Sequence, residues 1–134
     1  MNTFSYIING VDKTSEELNE VFNPATGELI GKYYVSTMDD VEEAIASAKK
    51  QQKSWAKLNQ EERDQYILNV ATAITENKSY LAEWITKEQG KPLNGPGSNF
   101  EMEACIGWTQ VPASLNLTDE VVFEDETRKD VLKR

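Results

Sequence analysis

The chain has 134 residues, enough for one domain that buries about two thirds of its unfolded surface. Apolar residues make up 39% and charged residues 28%, the balance of a soluble folded chain with no apolar run long enough for a membrane span. The net charge of −9 argues against a nucleic-acid partner, and the absence of histidine removes the usual proton shuttle and the commonest zinc ligand.

The first five residues, Met1 to Ser5, carry no basic start and no apolar core, so no secretory signal is expected and a cytoplasmic address follows by default. One cysteine, Cys105, cannot form an internal disulfide, which suits a reducing compartment. Asn77-Lys78-Ser79 and Asn116-Leu117-Thr118 match the glycosylation pattern and are read as chance matches.

The opening third is strand-like. Phe4-Ser5-Tyr6-Ile7-Ile8 is rich in aromatic and β-branched residues and ends in the turn pair Asn9-Gly10. Glu20-Val21-Phe22 and Leu29 to Val35 flank the turn Asn23-Pro24-Ala25-Thr26-Gly27-Glu28. These segments predict a small antiparallel sheet.

From Thr37 onward the apolar period changes to that of helices. Thr37 caps a first helix over about 38–53, with Asp39 and Asp40 in its first turn and Val41, Ala44, Ile45 and Ala48 as the apolar stripe. Asn59 and Glu62 form a capping box for a second helix with an inner stripe of Ile67, Val70, Ala71 and Ile74. Asn77 is expected to cap a third helix, which carries Leu81, Trp84 and Ile85 inward. Gly90 ends it in a left-handed conformation and Pro92 forbids continuation.

The cluster Asn94-Gly95-Pro96-Gly97 then turns the chain, with Ser98 or Asn99 as the cap of a fourth helix through Met102, Cys105, Ile106 and Trp108. Pro112 predicts a kink or an early end, because it removes a backbone donor and clashes with the preceding turn. Val121-Val122-Phe123 and Arg128 to Arg134 read as closing strands. The expected fold class is therefore mostly helical α+β: a hairpin region over 1–36, about four helices over 37–117, and strands over 118–134.

Few residues invite chemistry. Cys105 sits between Ala104 and Ile106 on a helix with no histidine to activate it, and is read as packing. Gly95 and Gly97 lie between helices and Gly27 and Gly31 in a hairpin, so none forms the strand–turn–helix cradle of a dinucleotide. Glu101 and Glu103 are two apart on a helix and cannot share a substrate. Trp55, Trp84 and Trp108, with Tyr66 and Tyr80, are read as helix contacts rather than a ligand platform.

The ordered stretches Tyr6-Ile7-Ile8-Asn9-Gly10, Val21 to Glu28, Glu61-Glu62-Arg63 and Glu88-Gln89-Gly90-Lys91-Pro92-Leu93 resemble the opening of an NAD(P)-dependent aldehyde dehydrogenase, of the betaine- and aminoaldehyde-oxidising type. The resemblance runs from Tyr6 to Arg134. It implies a hairpin and helices that wrap the cofactor domain, then a first strand of the oligomerisation arm. It also implies that the nucleophile, the base, the oxyanion donor and the NAD or NADP site of the full-length family all lie beyond Arg134. The expectation is then no cofactor and no catalysis for this chain alone.

By the same resemblance, Glu88 with the main chain at Val21 and Phe22 contributes to a monovalent cation site. Lys91, in the same turn, is read from its place at a helix C-terminus as a helix-end charge rather than a phosphate ligand. Three readings remain open. The chain is an aldehyde-oxidising enzyme that needs a complementary fragment, an interaction module that self-associates through its last strand, or a remnant without activity.

Overall fold

The computed structural model describes residues 2–115 and 118–132. Asn116 and Leu117 of the second glycosylation match, and Lys133 and Arg134 at the end of the last strand, lie outside the described residues. The elements run β1 (Asn2–Phe4), β2 (Tyr6–Ile8), β3 (Val11–Lys13), β4 (Leu18–Phe22), β5 (Leu29–Tyr34), α1 (Met38–Trp55), α2 (Gln60–Glu76), α3 (Lys78–Gln89), α4 (Ser98–Ala113), β6 (Glu120–Glu124) and β7 (Lys129–Leu132). The mostly helical α+β expectation holds.

The strands differ in one respect from the antiparallel sheet expected. The segment Phe4 to Ile8 is divided at Ser5 between two sheets. β1 joins β5 in parallel, with Asn2 opposite Gly31 and Phe4 opposite Tyr33, and β4 joins β5 antiparallel on its other edge. β2 instead turns over Asn9-Gly10 and pairs with β3, a strand the sequence reading missed. Both turn residues take positive φ, 52° and 76°, as a two-residue hairpin loop demands. Gly31 admits the close crossing of β1, since a Cβ there would stand 3.1 Å from Cε2 of Phe4.

The helix starts follow side-chain capping where local chemistry permits it. Thr37 and Asn59 each close a reciprocal box, with Asp40 and Glu62 as the returning carboxylates. Two expected caps are not used. The Asn77 side-chain amide donates backward to the Ala73 carbonyl at 2.9 Å, tying off α2 instead of opening α3. Gly97 is the N-cap of α4, without a side-chain cap, and Ser98 turns inward to Thr86, with 2.8 Å between the hydroxyl oxygens. Gly90 ends α3 at φ 68° as expected. Helix α4 continues through Pro112 and stops one residue later at Ala113, so the proline sits in its last turn, where it denies the Trp108 carbonyl its α-helical donor and the helix ends at once.

Burial is shallow. Helix α4 packs on α2 and α3, and α3 touches β4, yet among the described residues the buried hydrophobic side chains are only Ile8, Ala71, Ala82 and Met102. The exposed surface is 10217 Å² for a 15.2 kDa chain. A compact folded protein of that mass exposes about 7,100 Å², so this chain buries roughly half of its unfolded surface rather than two thirds. Helix α1 has no buried residue, and its stripe residues Val41 and Ile45 remain 41% and 51% exposed. The α2 stripe is likewise open at Ile67 and Val70. The amphipathic pattern is real, but the described residues leave it largely uncovered.

Helix α1 is held to the β2–β3 hairpin by polar contacts. The Tyr6 hydroxyl donates to Oδ2 of Asp40 at 2.8 Å, and Lys13 pairs with Glu43 at 3.1 Å. Hydrogen bonds from Thr37, then from Tyr6, hold the Asp40 carboxyl below its usual 3.8, while partial desolvation and the Asp40 bond push the Tyr6 phenol above 10.0. A depressed carboxyl stabilises the fold fully above 3.8, and the gain is lost as pH falls through its lower folded value. A raised phenol contributes fully below 10.0, and its gain is lost as pH rises through the higher folded value. Tyr6→Phe is therefore expected to abolish this alkaline loss and shrink the acid one. Urea unfolding midpoints of both proteins across pH check it.

Candidate functional site

Glu88, the carboxylate of the expected cation site, stands in a lined recess. It stands on the last turn of α3, one turn beyond Trp84 and two beyond Tyr80. The helix end docks on the turn after β4, where a Cβ on Gly90 would meet Cγ of Pro24 at 3.1 Å. The Gly-Lys-Pro segment and the Asn-Pro turn are thus brought together. Val21 is half-buried and Phe22 exposed on β4, with a register irregularity between them, and β4 contacts α3.

The surroundings of the Glu88 side chain were not legible in the sequence. On one flank a recess of 230 Å³ is formed with Phe4, Tyr80, Leu81 and Trp84. On the other, a groove of 560 Å³ runs between α3 and α4, walled by Ile85, Met102, Cys105 and Trp108, with Glu101 at its side. Aromatic and aliphatic walls with a single carboxylate are a poor donor set for a hard cation, which takes six or more oxygens. No group of three or more histidine, cysteine, aspartate or glutamate side chains suited to a metal occurs among the described residues.

The other candidates have structural partners. Glu101 binds Lys91 at 2.5 Å and Glu103 binds Lys78, so the two carboxylates serve different neighbours and Lys91 is an ion-pair partner. Cys105 is half-buried in the α3–α4 groove, and its carbonyl accepts the Thr109 hydroxyl. Trp55 packs against Tyr66 with ring centroids 5.4 Å apart and the planes tilted by 56°. Trp108 departs from the packing expected of it and is 76% exposed.

The residues do not fit a dinucleotide. The strand that feeds a helix is β5 into α1, and that helix start carries Asp39 and Asp40, with Asp40 already accepting from the Thr37 amide at 2.8 Å. A pyrophosphate there would meet negative charge where a cradle offers free amides and glycine. At α4 the amides of Ser98 and Asn99 are spent on the carbonyls of Pro92 and Leu93. Among the described residues no helix is long and apolar enough to cross a membrane.

Fold and site together define an open scaffold of helices and strands with one aromatic recess at the end of α3. The sequence profile of the "Aldehyde dehydrogenase family" matches residues 11–129, and the chain belongs to that family. It is 39% identical over 88 residues to malonate-semialdehyde dehydrogenase 1 of Bacillus thuringiensis (strain Al Hakam), a match over 64% of this chain and 18% of that protein. It is 36% identical over 81 residues to malonate-semialdehyde dehydrogenase 2 of Bacillus mycoides (strain KBAB4), covering 60% and 17%.

Among solved structures it superposes on a 3,6-anhydro-L-galactose dehydrogenase at TM-score 0.81 and 25% identity, covering 94% of this chain and 27% of that one. An aldehyde dehydrogenase from Bacillus cereus shares the fold at TM-score 0.84 and 20% identity, covering 95% and 27%. The chain thus spans less than a fifth of the length of these curated relatives and about a quarter of these solved structures.

Proposed function

We propose that these residues act as a scaffold segment of an aldehyde-oxidising, NAD(P)-dependent enzyme: they support a catalytic body and perform no chemistry themselves. The excess of exposed apolar surface carries this reading. Stripes on α1 and α2 and the groove between α3 and α4 are patterned for cover that the chain does not provide, as expected of one layer of a larger subunit. Hydride transfer needs nucleophile, base and cofactor in one cavity. The malonate-semialdehyde dehydrogenases suggest a short acidic aldehyde as the substrate of the whole enzyme. Under the same reading, Glu88 with the main chain of Val21 and Phe22 would hold a monovalent cation, a separate proposal given the apolar walls around the carboxylate.

Calorimetric titration tests the scaffold reading. NAD and NADP are expected to give no saturable heat with the purified chain, and micromolar binding of either would overturn it.

A second reading, self-association, is favoured by the β6–β7 hairpin. Its turn is fixed by Asp125, whose carboxylate accepts the Thr127 and Arg128 amides at 2.7 and 2.9 Å. The hairpin packs on itself and leaves Val121, Val122, Phe123, Val131 and Leu132 exposed. An arm of this kind suits a second copy of the chain.

A further inference from the structure

Two Asn-Gly pairs occur in the chain, Asn9-Gly10 and Asn94-Gly95, and the fold treats them differently. The main-chain nitrogen after an asparagine can attack the asparagine's own carboxamide, and a glycine there has no Cβ to obstruct the approach. Asn9 and Gly10 are both exposed at the tip of the β2–β3 hairpin. Among the described residues the Asn9 carboxamide has no hydrogen-bond partner, and the Gly10 amide donates to no main-chain carbonyl. Asn94 is clamped instead. Its carboxamide oxygen accepts the Asn99 side-chain amide at 3.0 Å. Main-chain bonds from Ser98 to Pro92 and from Asn99 to Leu93 close the loop around it.

We propose that Asn9 is a site of spontaneous isoaspartate formation, and that its conversion releases α1 from the β2–β3 hairpin. The Gly10 nitrogen loses its proton to hydroxide and bonds to Cγ of Asn9. The Cγ–Nδ2 bond then breaks, and the nitrogen departs as ammonia with a proton from water, leaving a cyclic imide. Water adds to either imide carbonyl. Breaking the bond between the nitrogen and the Asn9 carbonyl carbon leaves isoaspartate, whose main chain runs through Cγ. Breaking the new bond to Cγ leaves ordinary aspartate. The sequence consumes one water, releases one ammonia and needs no oxidant. Attack requires the turn to open, and a surface hairpin with strands of three residues opens readily.

The effect on α1 follows from the turn. Positive φ at Asn9 and Gly10 holds Ile8 opposite Val11. Isoaspartate lengthens the main chain there by one carbon, which a two-residue loop cannot absorb without loss of register. Tyr6 and Lys13 face each other at the other end of the hairpin, and they are its ties to Asp40 and Glu43 of α1. Helix α1 has no buried residue of its own and leans on β2, so little else holds it. The proposal stands apart from the scaffold reading, because the hairpin and its ties lie within these residues.

Warm incubation of the whole chain at mildly alkaline pH, with isoaspartate assigned residue by residue by mass spectrometry, tests it. Isoaspartate is expected to accumulate at Asn9 about fivefold faster than at Asn94, the difference one hydrogen bond makes. The rate is expected to rise with pH, since the attacking nitrogen must lose its proton. Asn99→Ala is expected to speed conversion of Asn94 about fivefold. Hydrogen exchange along α1 is expected to become about tenfold faster in the aged chain. Asn9→Gly accepts the same turn without a carboxamide and is expected to keep its α1 protection on ageing. An Asn9 that stays intact while Asn94 converts would overturn the proposal, as would aspartate as the sole product at Asn9. Unchanged exchange in α1 after conversion of Asn9 would also overturn it.

Discussion

Gly97→Ala is expected to cost about 3 kcal/mol or more of stability, the largest effect of any single methyl group in this chain. A Cβ at Gly97 would stand 1.8 Å from the Pro92 carbonyl oxygen, 2.7 Å from its carbon and 2.9 Å from the Asn94 carbonyl oxygen. All three are main-chain atoms, so no rotamer change relieves the collision. The Pro92 carbonyl cannot retreat without losing its 2.9 Å bond from the Ser98 amide, and the Pro92 ring fixes its own φ.

Behind this junction Ser98 is fully buried, and its contact with Thr86 joins α4 to α3. The substitution therefore acts on the docking of α4, which carries the buried Met102. Typical domains have only about 5–15 kcal/mol in total, so the loss is a large fraction. Two neighbouring glycines provide the contrast. Gly95→Ala meets nothing within 4 Å and bears only the strain of φ 67°, about 1–2 kcal/mol. Gly107→Ala, in open space within α4, is expected to stabilise by up to about 1 kcal/mol. Urea denaturation of the three variants reads this ordering, and a Gly97→Ala protein as stable as the parent would refute the junction geometry.

Removal of β7 is expected to convert an associating chain into a monomer. A lone two-stranded hairpin is marginal in water, and this one gains little from the helices. Among the described residues β7 has β6 as its one strand neighbour, so its other edge is a template on which another strand can add. Lys129 and Arg128 oppose the approach of a second β7, but each already has an acidic neighbour, Glu124 at 3.2 Å and Asp130 at 3.2 Å. Antiparallel pairing of two β7 strands about a two-fold axis would give one continuous four-stranded sheet with closed two-fold symmetry. Sedimentation is expected to show about twice the 15.2 kDa chain mass for the parent, and the chain mass for a version ending at Glu126. A monomeric parent at high micromolar concentration would end the idea, and equal association of both versions would remove β7 from the interface.

What could be read from the sequence was what local chemistry decides. The Thr37 and Asn59 caps, the left-handed Gly90 and the Asn9-Gly10 turn depend on residues within four positions of each other, and the fold keeps them. Asn77 and Ser98 offered the same cap chemistry, but the fold uses each elsewhere. One bonds to the preceding helix and the other to Thr86 across a buried contact. The parallel pairing of Asn2 with Gly31 was not legible either, because it joins positions with no local relation.

Glu88 stood out through its motif, whereas its aromatic walls depend on Phe4, brought from the far end of the chain by that strand pairing. The apolar stripes on α1 and α2 were visible, and their exposure was not. Periodicity reports which face wants cover and says nothing of what covers it.

A scaffold segment of this family leaves hydride transfer to residues outside itself. The most direct test is absorbance at the reduced-nicotinamide band, with purified chain, NAD or NADP, and a panel of aldehydes that includes malonate semialdehyde. No aldehyde-dependent signal is expected at any chain concentration, with Cys105→Ser indistinguishable from the parent. Cofactor reduction that rises in proportion to the chain and requires the aldehyde would contradict it.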